Sequence, residues 1–84
     1  MIERFDIEKS ARKIIISTLK LSGEEKIIRN DTNFVSDYGL EYVDQVRLFE
    51  EIDKKFGTKI TDSDNVVTFK DLIETIVRQR LKKK

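Results

Sequence analysis

One stretch in the middle of the chain decides how the whole sequence is interpreted: Phe34-Val35-Ser36-Asp37-Tyr38-Gly39-Leu40-Glu41-Tyr42-Val43-Asp44. It leads into a helix that the hydrophobic spacing predicts from about Glu41 to Phe56, with Gly57 ending it. The apolar stripe of this predicted helix consists of Val43, Val46, Phe49, Ile52 and Phe56. At this spacing we expect the stripe to face a hydrophobic core.

Two further helices are predicted on either side of this stretch. The first has Asp6 as its cap, Gly23 just beyond its end, and one apolar face made of Phe5, Ile7, Ala11, Ile14, Ile15, Thr18 and Leu19. The last begins with a capping box over residues 68–71, followed by a stripe of Phe69, Leu72, Ile73, Ile76, Val77 and Leu81. Both patterns are typical of helices that bury one face.

The connecting segments lack a sustained hydrophobic period. Residues 21–39 predict a long first loop, which a small domain tolerates only if its apolar residues pack onto the core. Residues 60–67 predict a cap or turn and no more than a single helical turn. The expected fold is therefore all-α: a small, mostly antiparallel bundle of three main helices plus one short helix. We expect residues 1–84 to form a single domain with a basic, frayed tail over about residues 79–84.

Composition excludes several kinds of chemistry. The 84 residues contain no cysteine and no histidine, which excludes disulfides, thiolate catalysis, zinc fingers and a histidine general base. No apolar run approaches the roughly 20 residues that span a bilayer, and no secretion signal precedes the first helix. We therefore expect a cytoplasmic, monomeric protein that is not an enzyme and has no metal site or stable membrane insertion.

Charge is distributed unevenly although the net charge is only +1. Residues 31–53 contain seven acids against one base, Arg47, whereas residues 54–84 contain nine bases and four acids. This asymmetry can steer a partner of opposite sign, and solvated helix faces are the other explanation.

The chain resembles the acyl carrier protein family, and the resemblance extends from Ile7 to about Val77. Its most specific parts are the segment over residues 31–39 and the helix from Val43 towards Ile60. The family commonly reads aspartate-serine-leucine where this sequence has Glu41-Tyr42-Val43. The resemblance implies a phosphopantetheine arm on that serine, so Tyr42 stands at the attachment position.

We expect Tyr42 to remain unmodified, and therefore expect no cofactor. A transferase joins phosphopantetheine to a side-chain hydroxyl, and the rigid ring of tyrosine displaces its hydroxyl from the place where serine presents one. Ser36 precedes Gly39, where we expect an exposed loop hydroxyl and no attachment site. Tyr42 either anchors a partner as an exposed aromatic or folds back over the bundle.

The resemblance also implies recognition of partner enzymes through the second main helix. The expected partner-binding residues are Glu41, Tyr42, Val43, Asp44, Arg47, Glu50 and Glu51. Arg47 departs from the family, which often has glutamate there. Val43 and Val46 could flank an acyl-binding interior, although ordinary core positions are expected at this spacing.

Three functional hypotheses follow. The first is a partner-binding module of an acyl or aminoacyl pathway without a phosphopantetheine arm. The second is an active acyl carrier of fatty acid, lipid or polyketide-type biosynthesis that carries phosphopantetheine by an atypical route. The third is a small nucleic-acid-binding protein with a basic tail, which the acidic middle segment disfavours. We expect no nucleic-acid partner.

Overall fold

Four α-helices follow one another in the computed structural model, which describes residues 4–61 and 64–82. They are α1 (Arg4–Leu19), α2 (Phe34–Tyr38), α3 (Tyr42–Phe56) and α4 (Phe69–Lys82). A short 3-10 helix, Gly23–Lys26, lies between α1 and α2, and no β-strand is found in the described part of the chain. The all-α prediction of three main helices and one short helix is confirmed.

The long helices have a defined relative direction. Residues 18–21 at the end of α1 line one groove together with Asp44 and Arg47 from the start of α3, so α1 runs antiparallel to α3. At the opposite end, the Arg80 guanidinium of α4 donates to the Phe56 carbonyl over 2.9 Å. The last turns of α3 and α4 therefore lie side by side, next to the start of α1.

The core lies between α1, α3 and α4, and among the described residues Thr32 and Thr75 are its only buried polar residues. The Thr75 hydroxyl donates to the Asp71 carbonyl one turn earlier, over 2.8 Å. The buried apolar residues of the core are Ile7, Ala11, Ile15, Leu21, Ile28, Phe34, Leu48, Ile52, Phe56, Ile60, Val66, Phe69, Leu72, Ile73 and Ile76.

The segment between α1 and α3 is held against the start of α4. The Phe34 N–H donates to the Val67 carbonyl, and the Phe69 N–H donates to the Thr32 carbonyl, both over 3.0 Å. Ile28 and Phe34 are buried in the core, which is how so long a connection is tolerated here. Arg12 holds the same segment from α1, because its Nε donates to the Ile28 carbonyl over 3.2 Å.

The boundaries of α1 differ from the prediction. Asp6 lies inside the first turn and does not precede the helix. At the other end Lys20 adopts the left-handed conformation (φ 55°) expected of Gly23, and the Leu21 N–H reaches back to the Ile16 carbonyl over 3.0 Å. The predicted face was also too wide, since Phe5 is 68% exposed.

Between α3 and α4, Asp64 has 3-10 geometry, in the segment where no more than a single helical turn was predicted. A short helix, α2, also lies in the connection that was predicted as a long loop. Local hydrogen bonds explain this helix: the Asn33 side chain accepts from the N–H groups of Val35 (2.9 Å) and Ser36 (2.8 Å). The predicted turn at residues 61–64 is confirmed by the Asp64 N–H, which donates to the Thr61 carbonyl. Asp62 and Ser63 lie outside the described residues.

The inward face of α3 is rotated from the predicted stripe. Leu48, Ile52 and Phe56, spaced by four, are buried, whereas Val43 and Val46 are exposed. The sequence offers two stripes at helical spacing, and contact with α1 selects the one centred on Leu48. The assignment of Val43 and Val46 to the core was therefore wrong.

The predicted tail is partly ordered structure. Gln79 and Arg80 belong to α4, and the Gln79 amide both accepts from the Lys59 N–H (2.7 Å) and donates to the Lys59 carbonyl (3.0 Å). Leu81, predicted to extend the apolar stripe, is 76% exposed because α4 passes beyond the core at this turn. Lys83 and Lys84 lie outside the described residues.

The capping box predicted at the start of α4 is confirmed. The Asp71 carboxylate accepts from the N–H of Thr68 (3.1 Å) and of Val67 (3.2 Å), and the Asp71 N–H donates to the Thr68 hydroxyl oxygen (3.2 Å). The hydrogen bond from the Thr68 N–H is the largest cause of the lowered pKa of Asp71. Desolvation by burial partly offsets this effect, and the hydrogen bond from the Val67 N–H lowers the pKa further.

This capping box predicts a pH-dependent contribution to stability. Because the pKa of Asp71 is lower in the folded protein than the value of about 3.9 in an unfolded chain, its contribution is present above that value and is lost as the pH falls through the folded pKa. Asp71→Asn should lower the free energy of unfolding by about 1 kcal/mol at neutral pH. Urea unfolding of both proteins should show this difference shrinking as the pH falls below about 3.9.

The control is Glu74→Gln, an exposed position one turn along the same helix. It should change the free energy of unfolding by less than about 0.5 kcal/mol at either pH. An equal loss in both variants, or a constant Asp71→Asn loss down to the lowest pH, would contradict the capping role.

Candidate functional site

The start of α3 is built by a sharp reversal after α2. Gly39 ends α2 in the left-handed conformation (φ 65°), and its N–H donates to the Val35 carbonyl over 2.8 Å. Glu41 then adopts an extended backbone (φ −89°, ψ 170°) as the residue before the helix. The Asp44 carboxylate accepts from the Glu41 N–H over 3.2 Å, which holds this helix end.

Tyr42 is the first residue of α3 and is 66% exposed. Of the two predicted orientations, the exposed aromatic is therefore found, and the side chain does not fold back into the core. An exposed ring on the first turn of a helix offers a large contact area at low entropic cost. Such a position is suited to contact with another protein.

An apolar groove runs along the outer face of α3 from Tyr42. Its volume is about 330 Å³, and it is lined by Tyr42, Val43, Val46, Arg47 and Glu50. A neighbouring groove of about 290 Å³ continues from Tyr42, Val46 and Phe49 towards Ile60 and also includes Glu50 and Asp53. The outer face of α3 thus combines an apolar floor with charged edges.

The predicted partner-binding residues lie in three places at and along α3. The groove of about 330 Å³ brings together four of them: Tyr42, Val43, Arg47 and Glu50. Glu41 and Asp44 lie instead at the start of the helix, where Asp44 is half-buried. Glu51 lies on the exposed side of α3, 3.5 Å from the Lys54 ammonium group.

Val46 was missed as a surface groove residue because its spacing equally fitted a core stripe. Phe49, from the same stripe, is half-buried against the core and also lines the neighbouring groove. The spacing of charged residues does not distinguish the two faces. Glu50 follows Val46 by four residues, and Asp44 precedes Leu48 by four residues.

No residue at the start of α3 offers an aliphatic hydroxyl. Residues 41–43 read Glu-Tyr-Val, and the nearest serine in sequence, Ser36, is exposed on α2 and not in the predicted loop. Covalent attachment through a phosphodiester needs a hydroxyl that is presented beside the helix N-terminus. The residues present here do not fit a serine-linked prosthetic group. The described residues also contain no cluster of histidine, cysteine, aspartate or glutamate that could hold a metal ion.

None of the described helices is long and apolar enough to cross a bilayer.

Comparisons with known proteins identify relatives over nearly the whole chain. The family model described as a phosphopantetheine attachment site matches residues 10–76. An acyl carrier protein of Buchnera aphidicola subsp. Acyrthosiphon pisum (strain Tuc7) is 32% identical over 80 residues, which covers 93% of this chain and 98% of that protein. The acyl carrier proteins of strains APS and 5A match with the same identity and coverage.

The exposure of the groove predicts a contrast between two positions of α3. Val43→Ala should change the free energy of unfolding by less than about 0.5 kcal/mol, because this side chain is 62% exposed. Leu48→Ala should cost about 2–5 kcal/mol, because it leaves a cavity in the core. Thermal and urea unfolding measure both, and a loss above about 1.5 kcal/mol for Val43→Ala would place Val43 in the core instead.

Proposed function

The chain belongs to the acyl carrier protein family, and we propose that it is a member that binds partner enzymes without carrying a phosphopantetheine arm. Its partners would be enzymes of an acyl or aminoacyl pathway. The observation on which this rests is Tyr42, which is the first residue of α3 and is exposed, and which we align with the attachment serine of the family.

The missing arm follows from the geometry of the attachment reaction. The transferase must bring the side-chain oxygen to about 3 Å from the phosphorus with aligned geometry. A tyrosine oxygen lies several ångströms farther from the backbone than a serine oxygen, on a rigid ring. Phenol is also a better leaving group than an alkyl alcohol, so an ester formed on Tyr42 would be more easily hydrolysed.

Partner binding is supported by the groove on the outer face of α3. Tyr42, Val43 and Val46 form its apolar part, and Glu50 lies at its edge. Apolar contacts supply affinity, while charged residues around them set orientation and association rate. Arg47 also lines this groove and gives it a mixed charge, so its partner should present both a basic and an acidic group.

We also propose that the module is a cytoplasmic monomer and not a catalyst. A single chain buries a continuous apolar core, which supports folding without a second subunit. The absence of histidine and cysteine supports a binding role, since neither of these common nucleophiles and general bases is available.

An active carrier is the second candidate. The matched family model is described as a phosphopantetheine attachment site, so phosphopantetheine is the prosthetic group that this family implies. Under this alternative an atypical transferase would modify the wild-type chain. The difference from the first proposal is therefore a single covalent group.

Transferase labelling tests the proposal. The wild-type protein, Tyr42→Ser and Tyr42→Ala are incubated with coenzyme A and a broad-specificity phosphopantetheinyl transferase, and intact masses are measured. We expect Tyr42→Ser alone to gain one phosphopantetheine group, because it restores the hydroxyl at the start of α3. A labelled wild-type protein that loses its label in Tyr42→Ala would contradict the proposal and favour the active carrier.

The same assay tests the docking surface with an enzyme that must bind it. In the Tyr42→Ser background, adding Glu50→Lys should lower the kcat/KM of labelling by about tenfold, because it reverses a charge at the groove. Adding Glu74→Lys makes the same charge change on α4 and should leave kcat/KM within about twofold. Equal effects of both substitutions would contradict docking through α3.

A further inference from the structure

We propose that Arg47 determines which partners dock on α3, because it pairs with a carboxylate in the middle of an amphipathic helix that the partner presents. This helix orders its charges basic, acidic, basic along the edge of its apolar face. The inference rests on the docking through α3 proposed above, and it adds the chemistry of the segment that docks.

Arg47 lies between two grooves that border α3. The first has a volume of about 510 Å³ and lies between the end of α1 and the start of α3, where its lining includes Leu19, Leu40 and Asp44. The second is the groove of about 330 Å³ that begins at Tyr42 and includes Glu50. Arg47 is exposed, and it is the only described residue that lines both grooves. A partner that covers the two grooves must therefore contact its guanidinium.

The charges across these grooves follow the order acidic, basic, acidic. Asp44 precedes Arg47 by three residues and lines the first groove, and Glu50 follows it by three residues and lines the second. Three residues correspond to about 4.5 Å along the helix axis. Lys20, at the end of α1, adds a second cation to the first groove, so a carboxylate above Arg47 is attracted from two helices.

The Arg47 guanidinium is not paired with the carboxylates that surround it. Arg47 takes part in none of the ion pairs found among the described residues. The Asp44 carboxylate accepts from the Glu41 N–H over 3.2 Å, and the Glu51 carboxylate lies 3.5 Å from the Lys54 ammonium group. The guanidinium therefore retains donors for a carboxylate of the partner, which it can bind through two parallel hydrogen bonds.

An amphipathic helix meets all of these conditions. Its apolar face covers Val43 and Val46, two lysines lie opposite Asp44 and Glu50, and a glutamate between them lies opposite Arg47. The order of charges is the same in both directions, so the helix can run parallel or antiparallel to α3. A uniformly basic helix would place a cation against Arg47, which disfavours it. Phosphate groups of a nucleic acid or a bilayer would be repelled by the two carboxylates.

Two synthetic helical peptides of identical composition test the proposal with the full wild-type chain. Both have an apolar stripe, and one has lysine, glutamate and lysine on successive turns beside it. In the other, the glutamate exchanges places with one of the two lysines, so the net charge is unchanged. Fluorescence anisotropy at low salt measures both dissociation constants. We expect the peptide with the central glutamate to bind at least about fivefold more tightly, and this ratio to fall at about 0.5 M salt.

Variants of Arg47 show whether the preference arises at this residue. Arg47→Glu should bring the two dissociation constants within about twofold of each other, because three carboxylates in a row do not distinguish the two orders. Arg47→Lys should keep the direction of the preference, because it keeps the charge. The control is Lys70→Glu, which reverses the charge of an exposed residue of α4 that lines neither groove, and it should retain the wild-type ratio.

Three results would overturn the proposal: failure of the wild-type protein to bind either peptide, equal affinity for both, or a preference that survives Arg47→Glu. Labelling of Tyr42→Ser, with and without Glu50→Lys, reports separately on whether α3 docks an enzyme at all. A wrong assignment of Arg47 is thereby distinguished from a failure of docking through α3.

Discussion

The bundle depends on one backbone contact, the pair of hydrogen bonds between residues 32–34 and 67–69. These bonds connect the residues around the start of α2 to the residues around the start of α4. Phe34 and Phe69, which supply the two N–H donors, are also among the largest fully buried side chains. Polar backbone pairing and apolar burial therefore occur at the same residues, so neither can be lost without weakening the other.

Arg12 connects this contact to α1. Its Nε donates to the Ile28 carbonyl, and its guanidinium lies 4.8 Å from the centre of the Phe69 ring. The long connection is thereby held from two helices, and α2 can be only five residues long and still be placed. The position of Gly39 and the start of α3 follows from that placement, and with it the position of Tyr42.

Once α3 is placed, its two faces have different roles. The Leu48 face is buried and supports the bundle, whereas the Val43 face is open and forms a groove with charged edges. Glu41 and Asp44 lie at the start of α3, while its last two turns contain both carboxylates and lysines, with Glu51 paired to Lys54.

The sequence predicted the elements whose signals are local. The capping box of Thr68 and Asp71 and the stop at Gly57 place the helix ends almost to the residue, because each depends on neighbours along the chain. The inward face of α3 depends on distant contacts, so a single sequence does not specify it. The Asn33 cap of α2 is a local signal, and it was overlooked. At the end of α1 the first left-handed residue is Lys20, three residues before Gly23, although glycine is the usual residue for this conformation.

The candidate site was also predicted only in part, because the exposure of its residues is not a local signal of the sequence. The family resemblance located Tyr42, and its exposure had to come from the structure. Val46 was placed in the core, because periodicity alone does not distinguish an apolar groove from an apolar interior.

The measurement that tests the central claim most directly is the intact mass of the wild-type protein isolated from the cells that naturally produce it. These cells contain the transferases to which the protein is naturally exposed, so the result does not depend on the choice of enzyme. We predict the mass of the polypeptide without a phosphopantetheine group. A protein that carries one such group, located on Tyr42 by fragmentation, would contradict the account.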